Sequence, residues 1–321
     1  MKENILTLLK KNSGFASGQS IADTLKITRN AVHKHIKSLR ESGYLIESKH
    51  SLGYRLLDDS NFIDDKSLAH ILRGHLFSKS LVHLKSIGST NDEAYRLAEE
   101  GAPEGTVVIS ERQTKGKGRL GRSWESAAPT NLYFSVVLRP KVIPSYAPRI
   151  TVLTALSIAA AIEETAKLTP KIKWPNDILI GDKKLCGILT EMKSESDMID
   201  FIIVGIGVNV NSTRSDFEKS LRDTATTLKD ESQKMQKRQE LLVQILINLE
   251  KWYGEMMSGK MNKMTTEWKR YSYLFGRRVT LENINERFSG TALGIDDDGF
   301  LLLESGGETR RVFSGTVVGV E

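Results

Sequence analysis

Cysteine is almost absent. Cys186 stands alone among 321 residues, which excludes an intramolecular disulfide framework and a cysteine-based zinc cluster. Its setting between Leu185 and Gly187 points to a small buried residue. Long apolar runs are missing too: none approaches the ~20 residues that span a bilayer. The chain opens on Lys2-Glu3-Asn4, without the apolar stretch of a secretory signal. A cytoplasmic address with no membrane partner is therefore expected. No internal repeat, no low-complexity tract and no G-x-x-x-x-G-K-[ST] phosphate loop occurs.

With 39% hydrophobic and 27% charged residues, the chain has material for two or three globular domains with sizeable cores. The net charge of +6 is unevenly spread. Residues 1–60 hold ten Lys/Arg against six Asp/Glu, whereas the remainder holds 36 against 34. A basic head on a nearly neutral body calls for an anionic partner at the head, either nucleic acid or a membrane surface.

That head spells three short helices and a hairpin. Ile5, Leu8 and Leu9 form a helical stripe ending at Ser13-Gly14; a second helix covers Ser20–Leu25, with Lys26-Ile27-Thr28 as the turn. Thr28 is a natural N-cap for a third helix running to Ser42-Gly43. Val32, Ile36 and Leu39 share one face of it, and Asn30, Lys34 and Lys37 the other. Tyr44–Ile46 and Tyr54–Leu57 read as strands joined through Lys49–Gly53. The order resembles a winged helix-turn-helix, which sets the second helix of its pair in the major groove. Arg29, Asn30, His33, Lys34 and Lys37 are the DNA-contact candidates: guanidinium for guanine, amide for adenine, ammonium for phosphate. His33 and His35 lie two apart and make no helical metal pair.

Asn61–Lys66 is polar and reads as a linker. Beyond it, helices alternate with apolar strands: Val107–Ser110, Leu132–Leu138 and Phe201–Val210 as strands, Thr151–Leu168 and Leu241–Met257 as helices. Arg214–Gln239 is charged and poorly patterned, which predicts a mobile or surface region. From Gly276 onward, short strands separated by turns suggest a small β-barrel. Asp296-Asp297-Asp298-Gly299 sits between two of these strands and is a hairpin turn rather than a calcium loop.

Gly116-Lys117-Gly118-Arg119-Leu120-Gly121 fits G-x-G-x-x-G letter for letter. A dinucleotide site would need an apolar helix after the loop and an acidic ribose reader about 20 residues on. Here a strand follows and the reader is lacking, so the match fails. What remains is a glycine loop with four cations, Lys115, Lys117, Arg119 and Arg122, closed by Trp124. Glycines let backbone N–H groups approach an anion, guanidinium groups fork onto phosphate or carboxylate, and Trp124 can wall a ring. Lys173–Asp177 leads through a hairpin at Gly181-Asp182 to Lys184–Leu189, which brings Asn176-Asp177 near Lys184 and Gly187.

S-T-N at 89–91, Q-x-x-G-K-G-R-x-G-R-x-W at 113–124, K-W-P-N-D at 173–177 and K-L-C-G-I-L at 184–189 together resemble the biotin protein ligases. The head and the tail make the resemblance one to the bifunctional ligase and repressor type, and it covers the whole chain. It implies an α+β multi-domain protein: winged helix-turn-helix over 1–62, a mixed α/β ligase domain similar to class II aminoacyl-tRNA synthetases over 67–274, and an SH3-like barrel over 275–321. It implies biotin and ATP with Mg2+ as reactants, biotinoyl-5′-AMP as intermediate, and transfer to a lysine of a biotin carboxyl carrier domain. Operator DNA of biotin genes and a second copy of the chain are the other implied partners.

By the same resemblance Ser89, Thr90, Asn91, Gln113, Gly116, Lys117, Gly118, Gly187 and Leu189 surround biotin. Arg122, Trp124, Asn176, Asp177 and Asn209 face the nucleotide, while Arg119 and Lys184 serve both and carry the catalysis. Asn176 and Asp177 have three open tasks: holding metal, holding phosphate, or helping to deprotonate the incoming lysine. No residue set is named as a protein-held metal site. Lys117 and Leu120 depart from the more basic loop of the family, and a lysine lacks the arginine fork. Lipoate or octanoate transfer, and a non-catalytic ligand-sensing transcription factor, are the rival readings.

Overall fold

The computed structural model describes residues 1–321 except 13, 42, 43, 59, 60, 127, 128, 196, 261, 284 and 285. Ser13, expected at the end of the first helix, and Ser42-Gly43, expected to close the third, lie outside the described residues.

The head holds α1 (Lys2–Lys11), α2 (Gly18–Leu25) and α3 (Arg29–Glu41), then β1 (Leu45–Lys49) antiparallel to β2 (Gly53–Asp58). Side chains start both later helices: Ser17 Oγ accepts from Ser20 N at 3.0 Å, and Thr28 Oγ1 from Ala31 N at 3.2 Å. Ile5, Leu9, Ile21, Val32, Ile36 and Leu39 close a separate apolar core. Arg40 fastens α3 to the hairpin, its guanidinium donating to Ile46 O and Ser48 Oγ. Ala16 exchanges two backbone bonds with Tyr54, and Gly53 at φ +104° passes where any Cβ would strike Ala16 O.

The middle of the chain adds α4 (Asp65–Ile71), β3 (Ser80–Leu84), α5 (Thr90–Glu99), β4 (Thr106–Ser110), β5 (Leu132–Leu138), α6 (Ala147–Ala166), β6 (Lys171–Lys173), β7 (Asp177–Ile180), β8 (Lys183–Glu195), β9 (Met198–Val208), α7 (Leu228–Ser232), α8 (Arg238–Met257) and α9 (Asn262–Tyr271). Its sheet runs β3-β4-β5-β9-β8-β7-β6; β3 and β4 are parallel and the other pairings antiparallel. Period-two burial splits the strands between two layers. One face packs on α6 and α8, and the other, through Val108, Val137, Phe201 and Ile203, packs on Ala94 and Ala98 of α5. By length and composition α6 could cross a membrane, but its residues are spent on this core.

The tail forms a five-stranded antiparallel sheet of β10 (Arg278–Glu282), β11 (Arg287–Ile295), β12 (Leu301–Ser305), β13 (Glu308–Val312) and β14 (Thr316–Val320). Its order, β13-β12-β11-β10-β14, leaves β13 and β14 at the edges, so no ladder among the described residues closes the expected barrel. Val279, Leu281 and Leu301 join the same core as the central sheet. Asp296–Gly299 is the expected hairpin turn, with Asp296 Oδ1 accepting from Asp298 N and Phe300 N at 2.9 Å.

Asn61–Lys66 joins head to body as expected, but it is packed: Asn61 and Ile63 are 1% and 2% exposed, and Asp64 caps α4. Arg214–Gln239 lies largely at the surface, as expected, but is anchored at a few buried residues. Phe217 and Leu228 are buried, Thr226 and Thr227 are buried beside them, and Arg238 is 1% exposed. Charge pattern gives no sign of these anchors, because the buried polar groups are bonded within the fold, as Thr227 Oγ1 is to Asp230 N and Arg238 is to backbone carbonyls.

Candidate active site

Three glycines make the floor. β5, β9 and β8 pair so that Gly187 lies opposite Gly207, Leu189 opposite Gly205, and Glu191 opposite Ile203. This is the sheet face that carries α5 further along. A Cβ on Gly207 would lie 2.5 Å from the Trp124 indole nitrogen, one on Gly187 2.9 Å from the ring, and one on Gly205 inside the Asn91 amide. The floor is therefore bare backbone, shaped for the Trp124 ring and for Asn91.

One end of the floor is polar and closed. Gln113 Oε1 accepts from Thr90 N (2.7 Å) and Thr90 Oγ1 (3.0 Å), and its amide nitrogen donates to Ser126 Oγ. Ser135 Oγ lies 2.8 Å from Thr90 Oγ1 and 2.6 Å from Asn91 Oδ1. Asn91 Nδ2 donates to Glu191 Oε2 at 2.6 Å and to Leu189 O. Thr90, Asn91, Gln113 and Leu189 of this network line a cavity of only about 50 Å3, together with Ser89, Lys117, Gly118, Arg119, Lys184 and Gly187, while Ser126, Ser135 and Glu191 brace them from behind.

Over it lies the glycine loop, folded on itself: Trp124 N donates to Gly116 O (2.9 Å), Gly118 N to Arg122 O (2.7 Å), and the backbones of Lys117 and Ser123 pair antiparallel between them. Leu120 and Gly121 turn the loop at φ +56° and +73°, and Leu120 remains 72% exposed. Gly116 is buried against the Trp124 carbonyl, where a Cβ could not fit. Its task is that crossing, and it does not line the cavity as expected.

The other end of the floor opens into a cavity of about 400 Å3 lined by Arg119, Arg122, Trp124, Asn176, Asp177, Lys184 and Asn209, all seven of the residues expected to face a nucleotide. Gly118, Arg119, Trp124, Asn176 and Lys184 belong to both cavities. β7 and β8 pair Asp177 with Gly187, which carries Lys184 Nζ to 2.8 Å from Asp177 Oδ1 and 5.4 Å from the Trp124 ring centre. Arg119 donates to Asn176 Oδ1 at 3.0 Å. Burial lowers the Arg119 pKa against the opposing pull of Asp177, and Arg122 lowers it further. The loop cations thus part company. Arg119 and Arg122 face the large cavity, Lys117 pairs with Asp92, and Lys115 lines neither. Asp92 raises the Lys117 pKa by hydrogen bonding. Cys186, fully buried below, has its thiol pKa pushed up by that burial.

A profile described as the biotin/lipoate A/B protein ligase family matches residues 84–209, an HTH domain profile matches 2–55, and a biotin protein ligase C terminal domain profile matches 274–318. The bifunctional ligase/repressor BirA of Bacillus spizizenii is 36% identical over 99% of this chain and 98% of its own. The chain belongs to the biotin protein ligase family, in its ligase/repressor form. The namesake from Escherichia coli K12 is 28% identical over 99% of this chain and 98% of its own. A biotin protein ligase from Aquifex aeolicus, solved with biotin and ATP, superposes with a TM-score of 0.65 and 30% identity, covering 74% of this chain and 97% of that one.

Several residues in this ligase site escaped the motifs. Ser135, Glu191, Gly205 and Gly207 hold or form the floor, and Phe217, Leu221, Thr224 and Ala225 wall the larger cavity. The segment 214–227 reaches it by pairing with the start of β8: Lys184 N donates to Thr224 O (2.7 Å) and Thr226 N to Lys184 O (2.9 Å). Two signals were available. A serine interrupts the apolar strand Leu132–Leu138, and Gly205 and Gly207 recur at strand period, where only a close approach explains losing the side chain. In the head, Arg29, Asn30, His33, Lys34 and Lys37 are all exposed on α3, with His33 Nδ1 3.1 Å from the Tyr54 hydroxyl.

Proposed function

We propose that the small cavity receives biotin, the large one ATP, and that the chain forms biotinoyl-5′-AMP and passes the biotinoyl group to a lysine of a carrier domain. The observation that carries this reading is the shared wall: Arg119, Asn176 and Lys184 border both cavities. In the first step a biotin carboxylate oxygen attacks the α-phosphorus and the bond to the pyrophosphate oxygen breaks. Carboxylate and α-phosphate repel, so cations held between them lower the barrier by alignment and by meeting the charge that develops on the phosphoryl oxygens. Arg119 and Lys184 stand there. In the second step the carrier lysine, as free amine, attacks the acyl carbon and AMP leaves with the bonding pair. The Asp177 carboxylate forms an ion pair with the Lys184 ammonium at 2.8 Å and orients it. Thr90, Asn91 and Gln113 offer the polar end for biotin's ureido ring, and Trp124 with Asn209 borders the nucleotide.

Magnesium would arrive with the triphosphate. It binds through one or two carboxylates plus phosphate oxygens, and Asp177 with Glu125 supplies two on the cavity wall. The central sheet is read as akin to class II aminoacyl-tRNA synthetases and the tail as SH3-like, with domains at 1–62, 67–274 and 275–321. The exposed α3 face is read as the DNA contact of a repressor of biotin genes, acting as a homodimer in the cytoplasm with biotinoyl-AMP as its signal. The relatives named as ligase/repressors favour this over lipoate or octanoate transfer and over a non-catalytic sensor. Purified protein should exchange labelled pyrophosphate into ATP only when biotin is present. Exchange driven by lipoate or octanoate instead would reject the substrate, and no exchange with any acid would reject the adenylation.

A further inference from the structure

The segment joining head to body is built into both cores at once. Phe62 packs into the head and stacks on Tyr44, ring centres 4.3 Å apart, while Ile63 enters the body's core. Asn61, 1% exposed, is gripped from the body. Arg238, at the start of α8, turns its guanidinium onto the Asn61 carbonyl from both Nε and Nη2, and donates to Asn131 O at 2.7 Å. Its charge is met by Glu111 at 2.8 Å, which also bonds His83 (2.9 Å), and His83 returns to Asp65 at 2.6 Å. The Asn61 amide oxygen accepts from Asn211 Nδ2 at 2.6 Å, and Asn211 is fixed in turn by Gln236. Asn61 Nδ2 is buried without a hydrogen-bond partner.

A buried guanidinium aimed at a linker carbonyl is a costly way to gain stability, because desolvation offsets much of the attraction. An orphaned buried amide adds a further cost. Such a clasp makes sense where a fixed geometry is what is needed. The grip is also continuous with the site. Asn131 Oδ1 accepts from Val210 N and Ser212 N, and these flank the strip that begins at the nucleotide-facing Asn209.

We infer that Arg238 is a positioning residue for DNA recognition: with Asn211 it clasps Asn61 so that the head is carried as a rigid extension of the ligase body and not on a swinging tether. Two heads borne by a pair of such bodies then meet DNA at one fixed spacing, as half-site recognition requires. This rests on reading α3 as the DNA contact.

Nitroxides on Thr24→Cys and Lys141→Cys, both exposed positions, would report the head-to-body distance in the full chain by pulsed electron resonance, with buried Cys186 left unlabelled. The expected result is one narrow distance in the parent and a broad distribution in Arg238→Lys, which keeps the charge beside Glu111 but loses the fork. Asn61→Ala, which leaves Arg238 paired, should broaden it less. If Arg238→Lys does not fold, Asn211→Ala takes its place. Operator binding is measured in parallel with biotin and ATP present. Arg238→Lys should bind at least about tenfold more weakly and lose the parent's sensitivity to one extra base pair between half-sites, while pyrophosphate exchange holds. A broad distance in the parent, or a distribution unchanged in every variant, overturns the clasp. A narrow parent distance without any operator binding rejects the DNA reading and leaves the clasp standing.

Discussion

Lys184 is the residue on which most geometry converges. Its ammonium faces Asp177, lies over Trp124 and belongs to both cavities, while its backbone anchors the segment 214–227. Replacement by methionine keeps most of the volume and the backbone pairing and removes only the charge. Lys184→Met should therefore lower the rate of adenylate formation by about 10²–10³, as loss of one charge-stabilising donor does. Biotin affinity should change far less, because on the proposed reading Thr90, Asn91 and Gln113 hold the ureido end. Single-turnover adenylation beside equilibrium biotin binding separates the two, and equal losses in both would assign Lys184 to binding. The sequence told of Lys184 and Asp177 through a hairpin of fixed length. It did not tell of Glu191, because a carboxylate in the exposed-looking run Glu191–Glu195 carries no sign that Asn91 lies beneath it.

Among the elements, the glycine loop shows what residue types alone leave out. Its cations were legible and its separation of tasks was not, since Asp92, which takes Lys117, lies on another element. Closed, the loop leaves about 50 Å3 above the polar end of the floor, far below the ~300 Å3 and upward of a ligand pocket. On the proposed reading of this cavity as the biotin site, entry requires the loop to lift, breaking the Trp124–Gly116 and Gly118–Arg122 bonds and moving the indole off its glycines. Stopped-flow tryptophan fluorescence should show an observed rate that saturates with biotin concentration, with most of the amplitude lost in Trp124→Phe. A rate that climbs linearly with no plateau would mean the open loop is already dominant. The run 214–239 reads rightly as surface, but its anchoring was not legible. Its anchors are backbone bonds to Lys184, and backbone pairing leaves no mark in residue type.

For the molecule as a whole, head, body and tail were all foreseen, because periodicity and turn chemistry declare elements locally. How they are joined was not: Asn61–Lys66 looks like any polar linker until Arg238, far along the chain, is seen to hold it. The junction also carries a pH dependence. Burial opposes charging of His83, but Glu111 and Asp65 outweigh it and raise its pKa from the ordinary histidine value. Stability from this charged histidine is complete below the unfolded value and fades as pH rises through the raised folded value. The melting temperature of His83→Gln should fall below the parent by about 2–6 °C near pH 6, and the gap should narrow toward pH 9. A gap constant across that range would make His83 a neutral hydrogen-bonding residue.

The bare floor beneath Trp124 has one more consequence, for inhibition. A compound resting on Gly187, Gly205 and Gly207 touches backbone that has no side chain to exchange, and any mutation there drives a Cβ into Trp124 or Asn91. Escape from such a compound would disturb the packing of Trp124 and Asn91, whereas one leaning on the partly exposed Leu221 across the larger cavity meets a side chain that can be exchanged without that clash. Resistance should therefore arise on the wall of the larger cavity and spare the glycines.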